Sequence, residues 1–274
     1  MIPFPRTDLA VEAQTRAPSI NGVRTEERTE GGFRVSTVSI LNSTASKELC
    51  KPIGNYHTIT LDPVLRREDA AFAAASELIA KVLQSLLPLS EDASALVIGL
   101  GNRAITPDAV GPKAMESVLA TRHLHKQFPG SFPELRPVCS IAAGVLGDTG
   151  IESASIVKAL VRDLRPDLVI VVDALACAEA ERLCRTIQLT DTGITPGSGV
   201  GNDREALSQE SLGIPVLAVG VPTVMDFHGS EPGLFVTPRN IDSVVSDFSK
   251  LIGYSINLAL HPSLSISDFD LLLS

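Results

Sequence analysis

The sequence predicts an α/β fold, with a mostly parallel, doubly wound sheet and helices on both of its faces. Strand-like and helix-like segments alternate from Ala95 to the end of the chain. The segments 95–100, 167–176 and 214–221 are nearly continuous apolar runs, which is the pattern of buried parallel strands. With 274 residues, 44% of them apolar and 20% charged, the chain has a globular composition and enough length for a large core.

The individual elements follow from hydrophobic periodicity and from residues that start or stop helices. Two segments near the N-terminus alternate apolar and polar residues as half-buried strands do, and a long apolar stripe at helical spacing ends at Pro88. Pro112 and Pro238 suit the first turns of helices, and Thr149 with Glu152 forms the T-x-x-E pattern of a capping box. The predicted strands are 33–41, 56–61, 95–100, 136–142, 167–176, 186–190 and 214–221. The predicted helices are 68–87, 112–124, 151–164, a short helix that ends at Cys184 and a last helix that starts at Pro238.

The two ends of the chain are less regular than its middle. Residues 1–34 are polar, charged and glycine-bearing, and we expect them to be partly loop-like. The tail after Pro262 is expected to be loosely held, with Phe269, Leu271 and Leu272 as its docking side chains. We expect one domain, in which 9–65 contains N-terminal strands and loops, 66–262 is the α/β core and 263–274 is the tail.

Charge and hydropathy limit the classes of partner. The formal net charge of −9 disfavours direct binding of nucleic acid, which needs a basic surface, and it suits a neutral or basic protein partner. No apolar run approaches the ~18 residues of a membrane span, and the N-terminus lacks the pattern of a secretory signal. The prediction is a cytoplasmic protein with no direct nucleic-acid or membrane partner.

Two aspartates at strand ends are the main candidates for chemistry. Asp108 lies in the loop after the strand 95–100, and Asp173 lies near the carboxyl end of the strand 167–176. Because sites in open α/β sheets form at this edge, the two carboxyl groups are expected to face one cleft. Repulsion and desolvation would then raise one pKa and leave the other group ionised, so that one acts as general acid and the other as general base on a water. Such a pair can hydrolyse a peptide without a metal.

Structural roles remain an alternative for these aspartates, because a lone aspartate more often caps a helix or binds loop amides. The sequence has no G-x-S-x-G elbow, no histidine pair at the spacing of a zinc helix and no P-loop lysine after its GSGVG segment. We therefore predict no metal and no cofactor. The further candidates, from the loops that follow the strands, are Asn102, Thr106, Asp191, Gly197, Ser198 and Gly199.

Several segments, in their order along the chain, resemble the spore germination proteases of endospore-forming bacteria. GITPGSGVGN and RTDLAVEA are specific to that family, and the similar segments cover most of the chain. They are RTDLAVEA (6–13), VIGLGNRAITPDAVGP (97–112), ATRHL (120–124), GVLGDTGIES (144–153), PDLVIVVDALA (166–176), QLTDTGITPGSGVGN (188–202), LGIPVLAVGVPTVMD (212–226) and FVTPRNIDS (235–243).

The resemblance implies an atypical aspartic endopeptidase that degrades small acid-soluble spore proteins during germination. Asp108 and Asp173 match the two aspartates that the family uses for catalysis. The family is made as a zymogen that removes its own N-terminal segment, and the matching bond here joins Asp8 to Leu9, which makes 1–8 the pro-segment. The resemblance also implies a homo-oligomer, a tetramer in the family, in the cytoplasm of the forespore or the spore core.

Two alternatives follow from the same resemblance. The family fold is similar to that of hydrogenase maturation proteases, in which carboxylates at this sheet edge contact a metal, so a metal-assisted peptidase is one alternative. Family members usually have a sizeable insertion where this chain has only 227–234. A non-catalytic binding protein that keeps the fold is therefore the other. Nucleotide binding is a third interpretation and rests on fold analogy alone.

Overall fold

A computed structural model of the chain describes residues 6–86, 90, 92–201, 204–226 and 234–273, and the strands in these ranges form a single sheet. The strands are β1 (Val23–Glu30), β2 (Phe33–Ile40), β3 (Gly54–Thr60), β4 (Ala95–Leu100), β5 (Val138–Gly144), β6 (Leu168–Cys177), β7 (Thr186–Thr190), β8 (Val216–Asp226) and β9 (Phe235–Val236). The helices are α1 (Ala10–Arg16), α2 (Ser43–Leu49), α3 (Asp62–Leu65), α4 (Ala71–Leu86), α5 (Val110–Ala114), α6 (Arg122–Gln127), α7 (Leu146–Thr149), α8 (Ser153–Leu164), α9 (Gln209–Leu212), α10 (Ile241–Leu260) and α11 (Ile266–Leu272).

The sheet is mixed, which corrects one part of the predicted fold class. Its order is β1-β2-β3-β7-β8-β6-β4-β5, with β9 paired to β8. Only the block β8-β6-β4-β5 is parallel, and all other pairs are antiparallel. Strands β1 and β2 are antiparallel because only Gly31 and Gly32 join them, and a connection this short cannot hold the crossover that parallel neighbours need. The antiparallel strands β1, β2, β3 and β7 extend the sheet beyond β8, on one side of the parallel block.

Helices lie on both faces of the sheet, as predicted. One face packs against α4, α5 and α10 and forms the largest apolar cluster, which includes Ile170 and Val172 of β6. The alternate residues of β6, Val169 and Val171, point to the other face and pack against α8. Further along that second face, Leu175 joins a cluster with side chains of α1 and α2. Strand β6 is therefore covered on both sides along its whole length, which explains its continuous apolar run.

The N-terminal residues are more ordered than the composition suggests. Residues 10–16 form α1, and 23–30 form β1 at the edge of the sheet. The side chains of β1 are mostly exposed and charged, with the sequence VRTEERTE, so the strand has no buried face for periodicity to reveal. Charged residues on an edge strand are a common protection against pairing with other chains.

The predicted helix 112–124 is broken into α5, a 3₁₀ turn over Met115–Ser117, and α6. Tertiary hydrogen bonds replace the helical ones in the break. The side chain of Asn257 in α10 accepts from the backbone N–H of Leu119 at 2.8 Å and donates to the carbonyl of Ser117 at 2.8 Å. A side chain 138 residues away thus ends the helix.

Two local predictions between β5 and β7 are wrong. The hydroxyl of Thr149 donates to the carbonyls of Val145 and Ile151, so it does not cap α8, whose first residue is Ser153. The predicted short helix before Cys184 is a series of turns, and Cys184 has a left-handed backbone (φ +56°).

The C-terminal tail is docked by one of the three side chains that were candidates for this role. Residues 266–272 form α11, in which Phe269 is fully buried and packs edge-on against Tyr254 of α10, with ring centroids 6.1 Å apart. Leu271 and Leu272 are exposed. The predictions for residues 1–5, for Pro88, for Asn202 and for the connection 227–233 lie outside the described residues.

Truncation of Phe269 tests whether α11 contributes to global stability. We expect Phe269→Ala to lower the free energy of unfolding by about 3–5 kcal/mol, because it leaves a cavity against α10. Leu272→Ala, in the same helix but more than half exposed, is the matched control and should change stability by less than about 0.5 kcal/mol. Denaturant unfolding measures both. Equal effects of the two substitutions would mean that α11 does not dock through Phe269.

Candidate active site

A cavity of about 450 Å³ opens at the carboxyl ends of the parallel strands. Its walls come from the loop between β4 and α5, the end of β6, the loop after β7 and the end of β8. Asp108 and Asp173 both line it, so the structure brings the two predicted aspartates to one site. A third carboxyl group, that of Asp8, lies in the same cavity.

Asp173 is the more deeply buried member of the pair, with 6% of its surface exposed. Burial raises its pKa well above the ordinary value, and the nearby carboxyl group of Asp108 raises it further. The backbone N–H of Ala174 donates to Oδ1 at 2.9 Å and offsets part of this shift. The strand that delivers Asp173 is apolar on both faces, so this carboxyl group is strongly biased toward its protonated form.

Asp108 ends a 3₁₀ turn, Thr106–Asp108, that leads from β4 into α5. It is half-buried, and burial raises its pKa, while the backbone N–H of Asn102 donates to Oδ2 at 2.7 Å and favours the charged form. Gly101 makes this tight loop possible, because its φ is +112° and a Cβ there would collide with the carbonyl of Asp108. As pH rises, Asp108 therefore loses its proton before Asp173 does.

Arg204 acts on both aspartates through its charge without lining the cavity, and sequence reasoning missed it. Its positive charge lowers the pKa of both Asp108 and Asp173 and so opposes the effect of burial on each. Its guanidinium lies 3.6 Å from the carboxylate of Glu152. Arg204 follows the glycine-rich loop, residues 197–201, by only a few residues. A single arginine in a polar segment gives no signal of its own in the sequence.

Asp8 is fixed in the cavity by the end of β6 and by the glycine-rich loop. Its N–H donates to the carbonyl of Ala176 at 2.9 Å, and its Oδ2 accepts from the N–H of Ala176 at 2.8 Å. Its Oδ1 accepts from the hydroxyl of Ser198 at 2.8 Å. A Cβ at Gly199 would collide with the Asp8 carboxylate, so the glycine is needed for this close approach. Gly197 lines the same cavity.

The residues around Asp8 are held as firmly as Asp8 itself. Gln188 of β7 donates through Nε2 to the carbonyl of Asp8 at 3.1 Å and accepts through Oε1 from the N–H of Ala10 at 2.8 Å. Leu9, which lies between Asp8 and Ala10, is fully buried. The Nζ of Lys51 donates to the carbonyl of Thr7 at 3.0 Å, and burial lowers the pKa of this lysine.

Glu12 anchors the start of α1 to the end of β6. Its side chain is fully buried and accepts from the backbone N–H groups of Ala178 at 2.8 Å and Glu179 at 3.0 Å, and also from the hydroxyl of Thr7. Arg182 lies 3.9 Å away and contributes positive charge. A buried carboxylate is tolerated only with such partners. The segment 7–12 is thus bonded to both β6 and β7.

The remaining predicted residues have structural contacts. Asn102 accepts from the N–H of Ala104 at 2.8 Å and shapes the Asp108 loop. Thr106 donates to Asp242 of α10 at 3.0 Å. Asp191 accepts from the backbone and side-chain N–H groups of Asn55, both at 2.8 Å, and therefore ties β7 to β3. Asp191 does not line the cavity that holds Asp108 and Asp173.

The described residues contain neither a metal-binding cluster nor a membrane-spanning helix. In these ranges, no three histidine, cysteine, aspartate or glutamate side chains are arranged to hold a metal ion together. Within the same ranges, none of the helices has both the length and the apolar character needed to cross a membrane.

The fold and the site together define an α/β protein with two unequally buried carboxyl groups in one cavity, a set suited to acid–base chemistry. A sequence model of the family described as germination protease matches residues 6–231. A germination protease of Clostridium perfringens strain 13 is 40% identical over 317 positions, covering 97% of this chain and 98% of the relative. That of Bacillus cytotoxicus is 42% identical over 256 positions, covering 89% and 68%. The chain therefore belongs to the germination protease family; it is a protease, and its substrates are proteins.

The alignment with the C. perfringens protein spans more positions than this chain has residues, so that relative contains segments without a counterpart here. Among solved structures, a [NiFe] hydrogenase maturation protease from Thermococcus kodakarensis matches with a TM-score of 0.38 and 20% identity, covering 64% of this chain and 99% of its own.

Removing the Asp173 charge should stabilise the protein, and the effect should depend on pH. Because the folded chain holds the Asp173 proton more tightly than the unfolded chain does, stability falls as pH rises from the unfolded pKa of about 3.9 toward the raised folded pKa. Asp173→Asn avoids this loss and keeps an acceptor for the N–H of Ala174. We expect the melting temperature of the variant to match that of wild type near pH 4 and to exceed it at pH 7.

Thermal unfolding at pH 4, 5.5 and 7 measures this difference. Asp163→Asn, on the exposed face of α8, is the matched control, and its difference from wild type should not vary over this range. A difference for Asp173→Asn that is the same at all three pH values would contradict the assignment of a raised pKa.

Proposed function

We propose that this chain is an endopeptidase that degrades small acid-soluble spore proteins during germination, with Asp108 and Asp173 as its acid–base pair. The observation that carries the proposal is the presence of both carboxyl groups in one cavity, with burial raising the pKa of each and Asp173 the more strongly affected. Membership of the germination protease family gives the reaction. The nature of the substrate, the forespore or spore-core location and a homo-oligomeric assembly, a tetramer in the family, are proposed from the resemblance in sequence.

The unequal burial of the two groups assigns their roles in hydrolysis. Asp108, which ionises first, takes a proton from a water, and the oxygen of that water attacks the carbonyl carbon of the peptide bond. Asp173, which holds its proton, transfers it to the nitrogen of the leaving amine as the C–N bond breaks. One proton is taken and one is given, so the pair needs no other proton donor.

We also propose that the full chain is a zymogen that cuts its own bond between Asp8 and Leu9. This is supported by the position of Asp8 in the same cavity as Asp108 and Asp173, where the segment that contains it fills part of the site. The Asp8 carboxylate accepts from the N–H of Ala176 and from the hydroxyl of Ser198, a set of contacts suited to an acidic residue on the N-terminal side of the cut bond. Residues 1–8 would be the pro-segment.

Cleavage of a purified small acid-soluble spore protein tests the catalytic pair. The chain trimmed after Asp8 is used, so that failed self-processing cannot imitate lost catalysis. We expect Asp108→Asn and Asp173→Asn each to lower kcat by at least ~100-fold, the usual contribution of a positioned acid or base. Asp163→Asn serves again as the control and should cut at the wild-type rate.

The same assay separates the alternatives. Wild-type activity in either aspartate variant would remove that residue from the catalytic pair. Activity that is lost with a strong chelator and restored by a divalent metal would favour the metal-assisted peptidase, with the aspartates as ligands. A trimmed wild-type chain that binds the substrate but never cuts it would favour the non-catalytic binding protein.

Self-processing of the full chain is a separate prediction. We expect mild acidification to favour trimming after Asp8, because it keeps Asp173 protonated in a larger fraction of the chains, and the product should begin at Leu9. Intact mass and N-terminal sequencing measure the change. Asp173→Asn should remain full-length at every pH, and its persistence also shows that no contaminating protease trims the chain. Persistence of full-length wild type under all conditions would contradict the zymogen proposal.

A further inference from the structure

We infer that Gln188 is a further catalytic residue, whose Nε2–H donates to the carbonyl oxygen of the bond to be cut and stabilises the negative charge that develops there. This rests on the proposed function. Its two hydrogen bonds flank Leu9, the residue after the bond to be cut: Nε2 donates to the carbonyl of Asp8, which belongs to that bond, at 3.1 Å, and Oε1 accepts from the N–H of Ala10, in the next peptide unit, at 2.8 Å. Since one partner is a carbonyl and the other an N–H, the orientation of the side-chain amide is fixed.

The sheet places Gln188 on the same face as Asp173, in a neighbouring cleft that shares Asp8 with the cavity of the two aspartates. Its neighbours in β7, Ile187 and Leu189, point into the cluster under α4 and α10, so Gln188 points to the face that bears Asp173. Gly220 of β8 is in register with both Asp173 and Gln188. The two side chains thus stand in one row, two strands or about 10 Å apart. Asp8 is bonded to β6 through Ala176 and to β7 through Gln188, so the peptide bond that follows Asp8 is held between these strands.

Because Gln188 is buried, its Nε2–H group needs a hydrogen-bond acceptor. The residue is only 6% exposed, and a buried donor without a partner costs about 1–3 kcal/mol. When residues 1–8 leave, Nε2 loses the carbonyl of Asp8. The trimmed chain then presents a buried N–H with no acceptor from residues 1–8, and the carbonyl of a bound substrate peptide can restore the bond.

The chemistry assigned to Gln188 is a hydrogen bond and involves no proton transfer. As the water oxygen attacks the carbonyl carbon of Asp8, electrons move to the carbonyl oxygen, which becomes an oxyanion 3.1 Å or less from Nε2. The oxyanion collapses when the C–N bond breaks and Asp173 protonates the nitrogen of Leu9. Donors aimed at such an oxyanion typically raise kcat by about 100–1000-fold.

Two substitutions separate this role from simple anchoring of α1. Gln188→Met removes both hydrogen bonds at similar volume, and we expect it to slow self-processing of the full chain and substrate cleavage by the trimmed chain at least ~100-fold at every pH. Gln188→Glu keeps an acceptor for Ala10 but has a donor only when protonated. We expect it to be inactive at neutral pH and to regain activity as pH falls, with its pH profile shifted to acid relative to wild type.

The matched control is Gln84→Met, because Gln84 of α4 also donates through Nε2 to a backbone carbonyl, that of Ala259 at 3.2 Å, away from the cavity. It should cut at the wild-type rate. A Gln188→Met variant that melts like wild type and cuts within threefold of it would overturn the inference. If that variant does not fold, Gln188→Glu decides: an acid-shifted profile supports the role of the donor, and a wild-type profile overturns it.

The same assays distinguish failure of the proposed function from failure of the role assigned to Gln188. Absence of cleavage by wild type, or cleavage that is insensitive to both aspartate substitutions, would remove the proposed function and this inference with it. Cleavage that needs Asp108 and Asp173 but not Gln188 would overturn the inference alone.

Discussion

The burial of the Asp173 carboxyl group is the constraint on which the rest of the site depends. Strand β6 is hydrogen-bonded on both edges and covered on both faces, so its one acidic side chain emerges among apolar groups. The N–H of Ala174 is its one hydrogen-bond donor within the described residues. A carboxyl group in such surroundings keeps its proton at the expense of stability, an arrangement found more often at functional sites than in structural cores. The half-buried Asp108, with a backbone donor from Asn102, is the complementary partner.

The N-terminal segment completes the site from a part of the chain that is remote in sequence. Asp8 extends the hydrogen bonding of β6 through Ala176, Gln188 reaches across from β7, and Glu12 accepts from the turn that follows β6. The segment therefore satisfies buried polar groups of the site that would otherwise lack partners. Under the proposed function, a substrate chain bound in the same way would satisfy the same groups.

The sequence was most informative where burial alone decides structure. Their apolar runs predicted β4, β6 and β8. Because parallel strands end at the same edge of a sheet, the sequence also predicted that the two aspartates lie close together. The break in the predicted helix 112–124 did not, since it depends on Asn257, far along the chain. Strand β1 was missed because an exposed edge strand has no apolar face. The mixed sheet was missed because strand direction depends on which strands pair, and composition does not reveal the pairing of β3 with β7 or of β7 with β8.

The same distinction applies within the site. Asp108 and Asp173 are recognisable as candidates because Asp108 closely follows β4 and Asp173 is the one acidic residue in the apolar run of β6. Gln188 lies in a predicted strand and Glu12 in a segment that was expected to be partly loop-like, and their partners are 178 and 166 residues away. What reveals them is the requirement that every buried polar atom be bonded. The sheet edge thus positions the two candidate aspartates, whereas the contacts of Gln188 and Glu12 depend on where the N-terminal segment docks. Under the proposed function, a loss of this docking would end self-processing and leave the pair of aspartates in place.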